Sequence, residues 1–370
     1  MKTAFPLVSA LALLLGAAGA SLAAPPQPVG GAVYTMSNAA AGNEVVVYPR
    51  AANGQLGAAD RIATGGLGLG AGLGNQGGVA LSDDGRWLFV VNAGSDDLSV
   101  FAVGEAGLTL VQTINSQGDR PVSVTQSGDL VYVLNAGSDS LAGFRMDAHG
   151  LLAPIPGSPR PLSGAGVGAA QIQFGLGGHA LVVSEKASNK LVVYEIDRDG
   201  APEAAPEVVD SVGPTPFGFD FGLRGHLFVS EAAGGAANAS SVSSYRLTRD
   251  GRLETVSGAA PTGLTAACWV VVSPDGRFVY SADAGSNAIS GYRAGPDGTL
   301  TLLDADGVTA STGAGSTPLD LAISVDGRYL YALNGGNHTL AEFRIGNDGG
   351  LTPIGALGGL PDKANGLVAR

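Results

Sequence analysis

The stretch VVVSPDGRFVYSADAGSNAISGY, residues 270–292, decides the fold. It contains an apolar run that ends at a Ser-Pro-Asp-Gly turn, a second apolar run from Phe278, a turn around Gly285 and a third run that ends at Tyr292. β-Branched and aromatic residues fill the runs, whereas Gly, Asp and Asn fill the turns. This pattern predicts short antiparallel strands joined by tight turns.

Copies of this unit repeat along the chain. One copy, VALSDDGRWLFVVNAGSDDLSVF, covers residues 79–101, and another covers residues 321–343. Weaker copies surround three further glycines. The aligned turn glycines are spaced by 43 to 51 residues and are Gly85, Gly128, Gly178, Gly225, Gly276 and Gly327. A period of this length is typical of the blades of a β-propeller.

Each unit predicts four strands, named A to D from the inside of the blade outward. Six units cover residues 75–361, and residues 32–66 supply strands B, C and D of another blade without a strand A. Residues 364–369 resemble a strand A with nothing after it. We therefore predict an all-β, seven-bladed propeller of four-stranded antiparallel blades, closed by the C-terminal strand, because closure protects strand edges. An open solenoid is the alternative.

The N-terminus predicts export. Lys2 precedes an apolar run over residues 7–20, and small residues follow at the spacing that a signal peptidase requires. We predict a signal peptide over residues 1–24, a single propeller domain over residues 25–370 and a periplasmic or secreted location. A buried N-terminal helix is the alternative. The run is shorter than the ~18 residues that cross a bilayer, so no integral membrane protein is expected.

Composition limits the partners. The net charge is −12, and an acidic surface repels phosphate backbones, so no nucleic acid partner is expected. Cys268 is the single cysteine, which rules out an internal disulfide and predicts a buried, inert thiol. We expect a monomer that is stabilised by core packing and ring closure.

The repeat resembles a known family, the bacterial seven-bladed propeller lactonases that include phosphogluconolactonases and carboxymuconate-lactonising enzymes. The resemblance covers residues 32–369 and rests on SPDGRFVY at 273–280, DGRYLY at 326–331, RPVSV at 120–124 and AACWV at 266–270. It implies a small-molecule lactone or sugar acid as the substrate. Known members carry His residues before strand A of the fourth blade and Asn-Glu at the end of its strand B. This chain has Ala169-Ala170-Gln171-Ile172 and Glu185-Lys186 there.

Propeller topology sorts the polar residues between two faces. The D–A loops and B–C turns share the top face, where such proteins usually bind ligands, and the A–B and C–D turns share the bottom face. At the end of strand B most blades carry Asn, whereas three successive blades carry Glu185, Glu231 and Asp283. Asn suits such a turn because its side chain bonds turn backbone. These three acids predict one of two things. They either line one side of a binding site at the central opening, or they only cap their own turns.

Further candidate site residues lie at the same top end of the central channel. Arg120 precedes a strand A and can grip an oxyanion. Lys186 follows Glu185. Phe217 and Trp269 lie at the start of strand A in two blades. Their rings are expected either to form an apolar wall of the site or to pack between blades. Gln171 lies in the stretch that replaces the family's His, and His338 belongs to a top turn. His179 and His226 belong to bottom turns and are expected to be solvated.

Three functions stay open. The first is a lactone hydrolase or related cyclising enzyme, in which Glu185 or Glu231 deprotonates water for attack on the lactone carbonyl and Arg120 or Lys186 stabilises the oxyanion. The residues expected to bind its substrate are Lys186, Asp283, Trp269, Phe217, Gln171 and His338. The second is a non-catalytic envelope propeller that binds a partner or small ligand on its top face. The third is a lactonase that uses a divalent cation held by Glu231 and Asp283. The first two need no cofactor.

Overall fold

The computed structural model describes Met1 and residues 29–370. The signal peptide predicted over residues 1–24 lies, apart from Met1, outside the described residues. Among the described residues the regular elements are strands and three short 3₁₀ turns, which are Leu176–Gly178, Leu223–Gly225 and Ala233–Gly235. None of the helices described is long and apolar enough to span a membrane.

The strands form seven antiparallel sheets in chain order. Blade 1 begins with β1 (Val29–Met36), β2 (Glu44–Ala51) and β3 (Asp60–Ala63). Blade 2 is β4 (Val79–Leu81), β5 (Trp87–Asn92), β6 (Asp97–Gly104) and β7 (Gly107–Asn115). Blade 3 is β8 (Pro121–Ser127), β9 (Leu130–Asn135), β10 (Ser140–Met146), β11 (Leu152–Pro154) and β12 (Arg160–Pro161). Blade 4 is β13 (Ala169–Gly175), β14 (Ala180–Glu185), β15 (Lys190–Glu195) and β16 (Glu207–Asp210).

The last three blades follow the same order. Blade 5 is β17 (Pro216–Phe221), β18 (His226–Glu231), β19 (Ser241–Leu247) and β20 (Leu253–Pro261). Blade 6 is β21 (Ala267–Val272), β22 (Phe278–Asp283), β23 (Ala288–Ala294), β24 (Leu300–Leu302) and β25 (Ala310–Ser311). Blade 7 is β26 (Pro318–Ile323), β27 (Tyr329–Asn334), β28 (Thr339–Ile345) and β29 (Leu351–Gly358).

The ring closes at blade 1, as predicted. The C-terminal strand β30 (Asn365–Ala369) is the inner strand of the sheet β3-β2-β1-β30 and pairs Val33 with Ala369 and Tyr34 with Val368. In blades 3 and 6 the outermost strand is split in two, because β11 and β12 both pair with β10 and because β24 and β25 both pair with β23. The fold is therefore the predicted seven-bladed propeller of four-stranded antiparallel blades. The spare strand at the C-terminus supplies the strand A that residues 32–66 lack, so blade 1 is complete and joins the last blade to the first.

The core lies between neighbouring blades. Apolar side chains on both faces of each sheet pack against the next sheet, and Val33, Phe89, Tyr132 and Tyr331 are buried there. The thiol of Cys268 is also buried, and burial raises its pKa to about 12, so it stays protonated and unreactive. The predicted burial of this cysteine is confirmed.

Candidate functional site

The inner strands surround a central channel with a volume of about 1270 Å³. Its walls run from Gln76 near the top face to the A–B turns around Gly85, Gly178 and Gly225 at the bottom face. Polar side chains from four of the blades line the channel among apolar ones, and they include Thr125, Gln171, Gln173, Asp220 and Asp320. The channel is therefore a cavity with both polar and apolar walls that can be reached from the bottom face.

The segment over residues 73–77, which we call the crossing segment, closes the top of this channel. Gln76 donates its backbone N–H to the carbonyl of Ala170 in blade 4 (3.1 Å). Its side-chain amide pairs with both backbone groups of Val270 in blade 6, at 2.7 and 3.1 Å. The carbonyl of Gly77 accepts from Val124 in blade 3 (2.8 Å). A segment that leads into blade 2 and bonds to blades 3, 4 and 6 must cross the opening.

Gly218 makes this crossing possible. A Cβ at residue 218 would lie 2.0 Å from Oε1 of Gln76 and 2.7 Å from the carbonyl oxygen of Cys268. Any other residue would push the Gln76 side chain away from blade 6.

Three residues predicted to bind substrate meet at the crossing segment. The Lys186 ammonium donates to the carbonyl of Gly74 and lies 4.6 Å from the centre of the Phe217 ring. The Phe217 and Trp269 rings are 5.0 Å apart, and the indole N–H of Trp269 donates to the carbonyl of Asn75 (2.8 Å). Burial lowers the pKa of Lys186 to about 8. These side chains hold a segment of the chain itself, and their role toward a substrate stays a prediction.

Side chains in the channel wall satisfy the free edges of the inner strands. Thr125 accepts from the N–H of Phe174 in the next blade (3.2 Å), and Gln171 pairs with both backbone groups of Phe219, at 2.7 and 2.8 Å. An inner strand has no further strand on its channel side, so its N–H and C=O groups need such partners. Gln171, predicted to bind substrate, is buried and joins blades 4 and 5.

Two acids lie in this wall, and sequence reasoning missed both. Asp220 accepts from the Gln173 amide (3.0 Å) and from the N–H groups of Phe221 (2.8 Å) and Val272 (2.9 Å). Asp320 accepts from the N–H of Leu321 (2.8 Å) and bonds to the backbone of Leu367. Burial raises the pKa of both carboxyls, for Asp320 well above its ordinary value. The available signal was an acid inside the apolar run of a strand A.

The acids at the ends of strand B point into their own blades. Glu185 accepts from the N–H of Ser163 (3.0 Å) and from the hydroxyl of Ser188 (2.7 Å). Glu231 accepts from the N–H of Gly213 (2.8 Å) and from the hydroxyl of Ser243 (2.6 Å). Both residues are fully buried, and neither lines the channel. The geometry gives each acid a loop-capping role, and the catalytic role stays a prediction.

Asp283 follows the same plan with one difference. Its Oδ2 accepts from the hydroxyl and the N–H of Ser290, the latter at 3.2 Å, whereas its Oδ1 is buried without a hydrogen-bond partner. Burial raises the pKa of Asp283 to about 7.

Arg120 and His338 are exposed at the top face. The Arg120 guanidinium donates to the carbonyl of Ala136 (3.2 Å), and within the described residues no ion pair joins it to Glu185 or Glu231. Arg120 therefore makes no direct ion pair with either predicted base, and its role as the oxyanion donor stays a prediction. His226, predicted to be solvated, is 8% exposed, so that prediction is wrong; Gly298 packs against its imidazole.

Residues suited to a metal do not cluster in the described part of the chain, where no group of three or more His, Cys, Asp or Glu side chains meets. Glu231 and Asp283, the ligands predicted for a divalent cation, are each bonded within their own blades. This arrangement does not fit the cation that the third hypothesis requires.

Comparisons with known proteins agree with the fold. A family model described as "Lactonase, 7-bladed beta-propeller" matches residues 28–160 and 205–320, which together are more than half of the chain. A search of curated proteins finds no match.

Solved structures align over nearly the whole chain. The periplasmic gluconolactonase of Pseudomonas aeruginosa is 18% identical with a TM-score of 0.73, and the alignment covers 92% of this chain and 98% of that one. A proposed 6-phosphogluconolactonase from Bacteroides fragilis is 17% identical with a TM-score of 0.71, covering 94% of this chain and 100% of that one. At these identities the likeness establishes the fold.

Proposed function

The chain belongs to the seven-bladed β-propeller lactonase family, and from this premise we propose that it hydrolyses the lactone of a sugar acid in its central channel. The names of two similar structures, a gluconolactonase and a proposed 6-phosphogluconolactonase, favour a sugar-acid lactone over a muconate-type lactone. The observation that carries the proposal is Asp320, a carboxyl with a raised pKa in the wall of the central channel.

Asp320 suits the role of general base better than Asp220. A carboxylate with a raised pKa is a stronger base, and it can take a proton from water as the water attacks the lactone carbonyl. Asp220 is held by three hydrogen bonds from three different residues, whereas Asp320 bonds to backbone groups only. Breakage of the ring C–O bond then releases a hydroxy acid, the leaving oxygen taking the proton.

Neutral groups beside the acids suit a polyhydroxylated ligand. Gln173 and Thr125 line the same channel, and the Thr125 hydroxyl accepts from the backbone while its own proton stays available to donate. Few charges and several amide or hydroxyl groups match the hydroxyls of a sugar ring, whose oxygens both donate and accept.

A panel of aldonolactones, muconolactones and acyl lactones, each run with and without a chelator, tests the activity. Asp320→Asn keeps the backbone contact with Leu321 and should lower kcat at least about 100-fold, the usual cost of losing a general base. Glu207→Gln, on the exposed outer strand of blade 4, is the matched charge control and should keep the native rate. Activity should rise with pH as Asp320 loses its proton. Native turnover in Asp320→Asn would rule out this base.

The site predicted at the top mouth is tested with the same assay. Glu185→Gln, Glu231→Gln and Arg120→Ala should each slow turnover if these residues are the base and the oxyanion donor. If Asp320→Asn is active and these three variants are slow, the top site replaces the channel site. A rate that falls with the chelator would bring back the metal-dependent alternative.

A non-catalytic, ligand-binding propeller is the second candidate function. The crossing segment favours this function, because Gln76 and Gly77 occupy the top of the channel. Their polar groups bond to the propeller's own backbone and so are not available to a substrate there. No turnover across the whole lactone panel would make this function the leading one. In either case we propose that the protein is exported and acts in the periplasm or outside the cell as a monomer.

A further inference from the structure

A second cavity, with a volume of about 850 Å³, opens on the bottom face between blades 4 and 5. Its lining is His179, Arg224, Gly225, Arg246, Leu247, Thr248 and Arg249. Three arginines and a histidine therefore share one cavity, in a chain with only 20 Lys and Arg residues and a net charge of −12. Such a concentration of positive charge calls for a physical reason.

Equivalent turns in other blades neutralise their arginine. Asp84 lies 2.6 Å from Arg86 in blade 2, and Asp326 lies 2.8 Å from Arg328 in blade 7. In blade 5 the turn reads Gly-Leu-Arg-Gly-His over residues 222–226, so Arg224 stands where the aspartate stands elsewhere. The turn acid is thus replaced by a cation at the mouth of the cavity.

The surrounding acids leave most of this charge uncompensated. Glu254 pairs with Arg246, and Asp250 pairs with Arg252 outside the cavity at 3.3 Å. Arg224 bonds to the carbonyl of Pro296 (3.3 Å). Across the part of the chain that the structure describes, Arg224, Arg249 and His179 take part in no ion pair.

The turn itself does not require an arginine. Arg224 has a φ of 62°, in the left-handed region that favours glycine, and the equivalent position of blade 4 is Gly177 with a φ of 66°. A glycine would form the same turn without strain, so the arginine is not explained by backbone geometry.

We infer that this cavity binds the tetrahedral dianion of a phosphate monoester. Guanidinium groups bind phosphate oxygens in bidentate fashion and keep their charge at any physiological pH. Gly225 lines both this cavity and the central channel, so the bound ester lies beside the bottom mouth of the channel. The binding site is independent of the proposed hydrolysis. The ester can be a soluble phosphate compound or a lipid headgroup, because both present the same dianion.

Calorimetry at low ionic strength tests the inference, with inorganic phosphate as the probe and sodium chloride at matched ionic strength as the reference. The native protein should bind phosphate in preference to chloride. Arg224→Gly, which removes the charge and the left-handed strain together, should keep or raise the Tm and weaken phosphate binding at least about 10-fold. Arg249→Ala should act in the same direction. Arg86→Ala is the matched control, since Asp84 already pairs that arginine, and it should bind phosphate like the native protein.

Sedimentation with vesicles separates the two sources of phosphate. Binding to vesicles that contain phosphatidic acid, and not to pure phosphatidylcholine vesicles, assigns the site to a lipid headgroup. Phosphate binding without vesicle binding assigns it to a soluble ester. Equal affinity in the native protein and the Arg224→Gly, Arg249→Ala double variant, or no preference for phosphate over chloride, would overturn the inference.

Discussion

Replacing Asp283 by asparagine should stabilise the propeller at alkaline pH. Asp283 ends strand β22, is fully buried and leaves Oδ1 without a hydrogen-bond partner. Asn92, Asn135 and Asn334 occupy the equivalent position in three other blades. Asn92 donates to Ser99 (2.8 Å), the counterpart of Ser290, so an amide fits this environment. The variant therefore puts a neutral group where the fold already accepts one.

The size of this stabilisation follows from the different proton affinities of Asp283 in the folded and unfolded states. Burial raises the pKa of Asp283 from 3.8 to about 7, so the folded state holds this proton more tightly than the unfolded state. The resulting stability is fully present below about pH 4 and is lost as pH rises to about 7, a loss of about 4 kcal/mol in all. A typical domain has a net stability of only about 5–15 kcal/mol, so this loss is large.

Urea unfolding, followed by tryptophan fluorescence from pH 5 to pH 8.5, measures the effect. The stability advantage of Asp283→Asn over the native protein should grow by about 3 kcal/mol between pH 5 and pH 8. Taking the difference cancels the contributions of the other buried acids. Glu207→Gln, an exposed charge removal, should give no pH-dependent difference. If Asp283→Asn shows the same pH dependence as the native protein, the carboxyl is ionised without cost and the reasoning is refuted.

Three further predictions concern the ring, the crossing segment and export. Deletion of residues 362–370 removes strand β30 and the buried Leu367, so it should lower the Tm by about 10 °C or more in a thermal melt; an unchanged melt would contradict the closure. Lys186→Met keeps an apolar stem beside Phe217 but loses the hydrogen bond to Gly74, so hydrogen exchange at residues 73–77 should accelerate while the blade amides keep their protection; equal exchange would show that Lys186 does not hold the segment. Mature protein recovered from the envelope or medium should begin between Ser21 and Pro25, whereas an intact Met1 on cytoplasmic protein would end the export prediction.

The sequence by itself determined the blades and their closure. Turn residues such as Asp275 and Gly276, and the apolar runs beside them, act over a few positions, so their structure can be read locally. Closure also followed from the sequence, because a missing strand A at one end and a spare one at the other have one economical solution. The capping alternative for Glu185, Glu231 and Asp283 followed from comparison with the asparagines of other blades. The direction in which these three side chains point could not be predicted from that comparison.

Only the tertiary structure decided where the open cavity lies. Gln76 bonds to Val270, a residue 194 positions away, and this contact closes the top of the channel and leaves the bottom open. Asp320 lines the channel, and Arg224 shares a cavity with Arg249, because neighbouring blades set the space around them. The conformational preferences of a short segment do not depend on which residue lies opposite it across the ring. Such contacts exist only once seven packed sheets fix the distances between their inner strands and turns.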